Sequence, residues 1–143
     1  MSVRAAGLAL ALALVAGAAA AVEGMRPGDE IVAPGAFVDW AEGYTLYFEH
    51  DGAPFGAERF GPGNSATWRY QDGSCVEGVW QVHGAQLCFF YGQGREVLCW
   101  RMLKRGGSYV ARLLGDGPDA GMELLVTGRD REPLLCGEPG PEL

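Results

Sequence analysis

The chain has 143 residues and a formal net charge of −7 at pH 7, which predicts a single acidic domain. An acidic domain of this size repels nucleic acid and anionic membrane surfaces, so we expect no nucleic-acid partner. The charge bears on partners and solubility, and carries no information about the fold.

The first stretch, MSVRAAGLALALALVAGAAAAVEG, has the three-part layout of a secretory signal peptide. A positively charged start precedes an apolar run over residues 7–15, and the alanines at 18–21 offer cleavage sites of the A-x-A kind. We therefore predict a signal peptide over residues 1–21 and a periplasmic or secreted protein. The alternative is an uncleaved anchor, because residues 5–22 are just long enough to span a bilayer. After signal cleavage, no stable membrane insertion is expected.

Residues 22–34 are polar and interrupted by prolines and a glycine, which predicts an irregular leader. In the stretch that follows, PGAFVDWAEG, apolar residues recur at the spacing of one helix face. A proline near the start and Gly43 at the C-terminal cap position delimit a helix of about two turns. Because so short a helix is not stable alone, we expect Phe37 and Trp40 to dock it onto a sheet.

From Tyr44 onward the pattern changes to short apolar or alternating runs between glycine-rich turns. These runs are YTLYFEH, PFGAERF, SATWRYQ, VEGVWQV, QLCFFY, EVLCWRML, SYVARLL and MELLVTG. A spacing of about ten residues is typical of an antiparallel meander. We therefore predict an all-β fold of about eight short strands, forming a small barrel or a strongly curved sheet with one short N-terminal helix. The single β domain is expected over residues 35–137, with a flexible tail at 138–143.

The four cysteines, Cys75, Cys88, Cys99 and Cys136, all follow the predicted signal peptide, and an even number in an exported chain predicts disulfides. Four cysteines allow three pairings. A two-residue turn at Gln93 and Gly94 places Cys88 opposite Cys99 as a hydrogen-bonded pair, with Cα atoms about 5.5 Å apart. Side chains at such pairs are less well directed, so this bridge is allowed but not favoured. Cys75 and Cys136 remain equally good partners.

Motifs of common catalytic and cofactor sites are not found in the sequence. The Cys and His spacings are too irregular for zinc, no serine lies in a G-x-S-x-G turn, and GQGREV lacks the third glycine of a dinucleotide site. His50 and His83 each precede a glycine-containing turn and are interpreted as turn residues. We therefore name no catalytic, metal-binding or cofactor-binding residue, and we expect no cofactor.

Two groups of residues remain as candidates for a site. Carboxylates are scattered through the predicted elements, and a hydrolase would need two of them across one cleft; they are Asp39, Glu42, Glu49, Glu58, Glu77 and Glu96. Aromatic side chains recur on successive strands, and inside a barrel they either line a ligand cavity or fill the core. The candidate ligand-lining residues are Trp68, Trp80, Tyr91 and Trp100.

The order of the aromatic, glycine and cysteine motifs is itself distinctive. It runs GYTLY at 43–47, FGAERF at 55–60, C-x-x-G-x-W at 75–80, LCFFY at 87–91 and PLLC at 133–136. This pattern resembles small exported proteins of alphaproteobacteria to which no activity is assigned. The resemblance implies a shared fold, shared disulfide bridges and a periplasmic address, and it implies no catalytic residue.

The sequence thus favours a disulfide-stapled binding module over an enzyme. Its partner is expected to be an unknown small ligand inside the barrel or an envelope protein on the acidic surface. The alternative is a small cell-envelope hydrolase that uses paired carboxylates. A roomy cavity lined by Trp80, Tyr91 and Trp100 would favour the ligand, and two acids within catalytic distance would favour the hydrolase.

Overall fold

The structure is a computed structural model that describes residues 24–137, so the predicted signal peptide at 1–21 and the tail at 138–143 lie outside the described residues. One helix and nine strands follow one another along this part of the chain. In order they are β1 (Glu30–Val32), α1 (Pro34–Ala41), β2 (Thr45–His50), β3 (Ala53–Phe60), β4 (Ser65–Arg69), β5 (Cys75–His83), β6 (Gln86–Phe90), β7 (Leu98–Arg105), β8 (Ser108–Leu113) and β9 (Glu123–Asp130).

Strands β2 to β9 form a closed antiparallel barrel of up-and-down topology. Each strand pairs with the next one along the chain, and β9 returns to pair with β2. Closure satisfies the edges that an open sheet would expose. The predicted all-β antiparallel fold is confirmed, and of the two predicted shapes the structure is the barrel.

Strand β1 was not predicted. It lies in the segment 22–34, which was expected to be irregular, and it pairs with the second half of β7 through Ile31 opposite Leu103. Strand β6 pairs with β7 only as far as Trp100, so β1 continues the same edge of β7 where β6 has ended. A three-residue strand is too short to show a period of two in the sequence, which is why pattern analysis missed it.

Helix α1 closes one end of the barrel, as predicted for a docked helix. Phe37 is 1 % exposed, and its ring centroid lies 5.8 Å from that of Phe60 and 5.3 Å from that of Tyr109. Gly43 has a φ of +84°, which allows the chain to turn sharply from the helix into β2. This closed end also contains the loops 61–64, 84–85 and 106–107, because up-and-down connections alternate between the two ends.

Trp40 fastens the helix to the barrel wall. Its ring centroid lies 4.5 Å from that of Tyr109 and 4.3 Å from the guanidinium carbon of Arg129. The same guanidinium donates a hydrogen bond to the carbonyl oxygen of Trp40 and lies 3.9 Å from the ring centroid of Tyr44. Ring–ring contact and cation–π attraction therefore hold the last turn of α1 against Tyr109 of β8 and Arg129 of β9.

The leader is held on the outside of the barrel by charged groups. Arg105 donates hydrogen bonds of 2.8 Å to each carboxylate oxygen of Asp29 and one of 2.9 Å to Oε2 of Glu123. Arg26 forms a further ion pair of 3.3 Å with Glu123. Hydrogen bonding from the Arg105 guanidinium lowers the pKa of Asp29 from 3.8 to about 2. These contacts join the leader to β7 and β9.

The disulfides join Cys88 to Cys99 and Cys75 to Cys136. The predicted register of Cys88 opposite Cys99 is confirmed, but the preference against that bridge was wrong. The two Cα atoms are 4.0 Å apart, not about 5.5 Å, and this close approach is that of a non-hydrogen-bonded pair. Strands β6 and β7 are joined by a loop over 91–97, so counting outward from a two-residue turn did not give the hydrogen-bonding pattern.

Candidate functional site

The barrel encloses a cavity of about 370 Å³. Because side chains alternate along a strand, Leu98, Trp100 and Met102 of β7 all face this space. Its lining is formed by Phe37, Phe48, Phe55, Glu58, Phe60, Trp68, Tyr70, Leu87, Phe89, Tyr91, Arg95, Glu96, Leu98, Trp100, Met102, Met122 and Leu124. Most of these side chains are apolar, and nine of the seventeen are aromatic.

The cavity has a floor and a mouth. Phe37 of α1 forms the floor at the closed end, whereas Tyr70, Arg95 and Glu96 lie at the opposite, open end. All three residues at the mouth are exposed, and the Arg95 guanidinium is 3.5 Å from the Tyr70 hydroxyl. A molecule entering from solvent therefore passes polar side chains before it reaches the aromatic interior.

Glu58 is the one carboxylate buried in this interior among the described residues. It lies on β3 opposite Trp68 of β4, and only 2 % of it is exposed. Tyr91 donates a hydrogen bond of 2.9 Å to Oε1 of Glu58, whereas Oε2 has no hydrogen-bond partner within residues 24–137. The site thus holds a half-satisfied carboxyl group.

Burial controls the protonation of this pair. Removal from water raises the pKa of Glu58 well above 4.5, and the hydrogen bond from Tyr91 opposes that shift only in part. Burial and the neighbouring Glu58 also raise the pKa of Tyr91, so its hydroxyl stays a donor. Burial therefore shifts Glu58 towards its neutral, protonated form.

Trp68 owes its position to a glycine. A Cβ atom at Gly56 would overlap the indole ring of Trp68, so the ring can lie against β3 only because residue 56 has no side chain. The indole also contacts Phe48 and Phe55, with ring centroids 5.7 Å and 6.0 Å away. These three rings form one aromatic wall of the cavity next to Glu58.

Of the four predicted ligand-lining residues, the structure brings Trp68, Tyr91 and Trp100 to the cavity. Trp80 does not line it. Trp80 is 7 % exposed and lies towards the closed end, where its backbone N–H donates a hydrogen bond to the carbonyl oxygen of Asn64. Its indole therefore belongs to the packed core.

Sequence reasoning named Glu58 only as one of six scattered acids. The alternation in β3 contained a signal, because Gly56, Glu58 and Phe60 fall on one face and Phe60 is an obvious core residue. The acid and Phe60 share that face, so the acid also points inward. Of the other candidate acids, Asp39, Glu42 and Glu77 are exposed.

The histidines lie outside the cavity. His50 is half-buried, with Nδ1 at 3.1 Å from the carbonyl oxygen of Glu123 and Nε2 at 3.3 Å from Asp51. His83 is exposed and lies 3.2 Å from the side chain of Gln81. Within residues 24–137, no group of three or more His, Cys, Asp or Glu side chains is arranged to hold a metal ion.

Within residues 24–137, no helix has the length and apolar character needed to cross a bilayer.

Comparison of the chain with protein-family models, curated proteins and solved structures finds no match. Fold and site therefore define the molecule by geometry alone: an eight-stranded antiparallel barrel, stapled by two disulfides, around an aromatic cavity that contains a buried carboxyl group.

Proposed function

We propose that this protein binds a small, largely apolar molecule inside the barrel. The cavity of about 370 Å³ lies within the range of pockets that hold small-molecule ligands. The fold positions a floor at Phe37 and a mouth at Tyr70, so a ligand would enter from the open end. Its body would pack against the aromatic wall of Phe48, Phe55 and Trp68.

The observation that carries this proposal is the buried, half-satisfied carboxyl of Glu58. An unpartnered polar atom in an apolar interior costs about 1–3 kcal/mol. A ligand that offers a polar atom to Oε2 would remove that cost. The same contact would fix the orientation of the ligand inside an otherwise apolar space.

Binding of a neutral probe whose fluorescence rises in an apolar environment tests the proposal. We expect N-phenyl-1-naphthylamine to gain fluorescence on binding, and we expect Leu98→Trp, which fills the cavity, to weaken that binding by about tenfold. Val97→Trp is the matched control, because Val97 is 47 % exposed and does not line the cavity. With both variants shown to fold by circular dichroism, equal binding by Leu98→Trp and Val97→Trp would count against an interior site.

We further propose that the protein works in the periplasm or is secreted. Its two disulfides belong to an oxidising compartment, which supports an address outside the cytoplasm. The signal-like stretch at 1–21 and the resemblance to exported alphaproteobacterial proteins support the finer assignment. Intact-mass measurement on protein recovered from the cell envelope or the medium tests it, and an uncleaved Met1 would contradict signal removal.

The hydrolase considered from the sequence has less support. Glu58 and Glu96 both line the cavity, but Glu96 is exposed at the mouth. The pKa of Glu58 is raised by burial. Among the described residues, no neighbouring carboxylate contributes to that shift. Binding without chemical conversion of the ligand is therefore the function we propose. An envelope protein as a partner stays a prediction from the sequence.

A further inference from the structure

We propose that the ligand is a hydrophobic amine, whose ammonium group pairs with Glu58 inside the aromatic cavity. This inference rests on the proposed function and names the chemical class of the ligand. It is carried by a buried carboxyl group with an unpartnered oxygen, in a largely aromatic lining whose one cationic side chain, Arg95, is exposed.

The aromatic lining suits a cation. Nine rings surround the cavity, and the π-face of an aromatic ring attracts an ammonium group, with the largest gain where water is excluded. Trp68 lies opposite Glu58 on β4, and Tyr91 is hydrogen-bonded to Glu58. An ammonium group at Oε2 would therefore have both a carboxylate and aromatic faces as neighbours.

The charge of the site points the same way. The one cationic side chain in the lining is Arg95, which is exposed at the mouth and does not contact Glu58. Ionised Glu58 would therefore be a buried anion with a hydrogen bond from Tyr91 but no cationic partner, which is unfavourable. An ammonium ligand brings the missing countercharge, and the net charge of −7 attracts cations to the protein as a whole.

Proton balance distinguishes an amine from a neutral ligand. Burial favours the protonated form of Glu58, so formation of an ion pair with an ammonium ligand is expected to release that proton to solvent. The other titratable or charged groups that line the cavity are Tyr70, Tyr91, Arg95 and Glu96. Tyr91 remains a neutral donor, and the other three lie at the mouth, so proton release is assigned to Glu58.

The test uses three probes with a similar aromatic body and different head groups: 2-phenylethylamine, 2-phenylethanol and 3-phenylpropionate. Near neutral pH we expect the amine to bind about tenfold more tightly than the alcohol, and the carboxylate to bind most weakly. Glu58→Gln should remove the preference for the amine and leave the alcohol within about threefold of its original affinity. Glu96→Gln is the control for an acid at the mouth and should retain the preference.

A second measurement does not depend on any variant. Calorimetric titration of the unmodified protein with 2-phenylethylamine, in buffers of different ionisation enthalpy, should show release of a proton on binding, and affinity should rise with pH as Glu58 ionises. The alcohol should show neither effect.

The outcomes separate this inference from the proposed function. Three results would overturn the amine inference alone. The amine and the alcohol could bind equally, or the preference for the amine could persist in Glu58→Gln. The third result is that N-phenyl-1-naphthylamine binds and the amine does not. If none of these four compounds binds, the interior site itself is wrong.

Discussion

Tyr91 donates a hydrogen bond of 2.9 Å to Glu58 across the interior of the barrel, although 33 positions separate the two residues in the sequence. Glu58 lies on β3, and Tyr91 directly follows β6, so two further strands lie between them around the barrel wall. The curvature of the barrel wall brings these side chains together across its interior. The contact uses one carboxyl oxygen and leaves the other free inside the cavity.

The raised pKa of Glu58 predicts how stability varies with pH. The folded state retains a proton that the unfolded chain releases near its ordinary pKa, so the free energy of unfolding falls as pH rises from that value through the raised one. Glu58→Gln cannot lose a proton, so it should become increasingly more stable than the unmodified protein as pH rises through this range.

Urea unfolding at a series of pH values from acidic to mildly alkaline measures this difference. Glu77→Gln, an exposed change on β5, is the control and should track the unmodified protein. A stability difference between Glu58→Gln and the unmodified protein that does not change with pH would show that Glu58 titrates normally in the fold.

Gly56→Ala should damage the cavity wall. The new methyl group would overlap the indole of Trp68, so the ring must move towards the cavity or β3 must shift. We expect a loss of about 1–3 kcal/mol in the free energy of unfolding, with weaker probe binding. Gly128→Ala on β9 is the matched control, since no atom lies within 4 Å of its added Cβ. Unchanged stability and binding in Gly56→Ala would contradict the close packing of Trp68.

The two disulfides should contribute unequally. A bridge restricts the unfolded chain more when it closes a longer loop, and the sequence separations are 61 residues for Cys75–Cys136 and 11 for Cys88–Cys99. Loop-closure entropy gives about 4 kcal/mol for the first bridge and about 3 kcal/mol for the second. Replacing each pair by alanine and measuring chemical unfolding checks the order. A larger loss from the Cys88 and Cys99 pair would show that local packing outweighs chain entropy.

The ion pair of Asp29 and Arg105 should stabilise the attached leader above acidic pH. The folded pKa of Asp29 is about 2, below its ordinary 3.8, so this stabilisation is present above pH 3.8 and is lost as pH falls through 2. Asp29→Asn should therefore be less stable than the unmodified protein at neutral pH, and the two should converge in strong acid.

Thermal unfolding across that pH range, followed by circular dichroism, provides the measurement. Asp116→Asn, an exposed change in the loop 114–122, is the control and should keep a constant offset. If the gap between Asp29→Asn and the unmodified protein stays constant down to strong acid, the ion pair with Arg105 does not stabilise the fold.

The strand pattern was predictable because it is local. A period of two, turn glycines and the helical spacing of Phe37 and Trp40 depend only on near neighbours in the chain, so all eight barrel strands and α1 could be identified from the sequence. The register of Cys88 opposite Cys99 followed from the same pattern. The hydrogen-bonding state of that pair did not, because it depends on the geometry of the loop 91–97.

The sequence by itself determined an antiparallel β fold with one docked helix and four cysteines suited to disulfides. Periodicity and turn chemistry depend only on residues close together in the chain. Tertiary structure alone decided that β9 closes on β2, that Cys75 reaches Cys136, and that Tyr91 meets Glu58. Those contacts join residues far apart in the chain. Barrel closure sets the distances between them, and no local pattern encodes those distances. In the closed barrel, Glu58 is therefore the one buried carboxyl group in the described lining of an aromatic cavity.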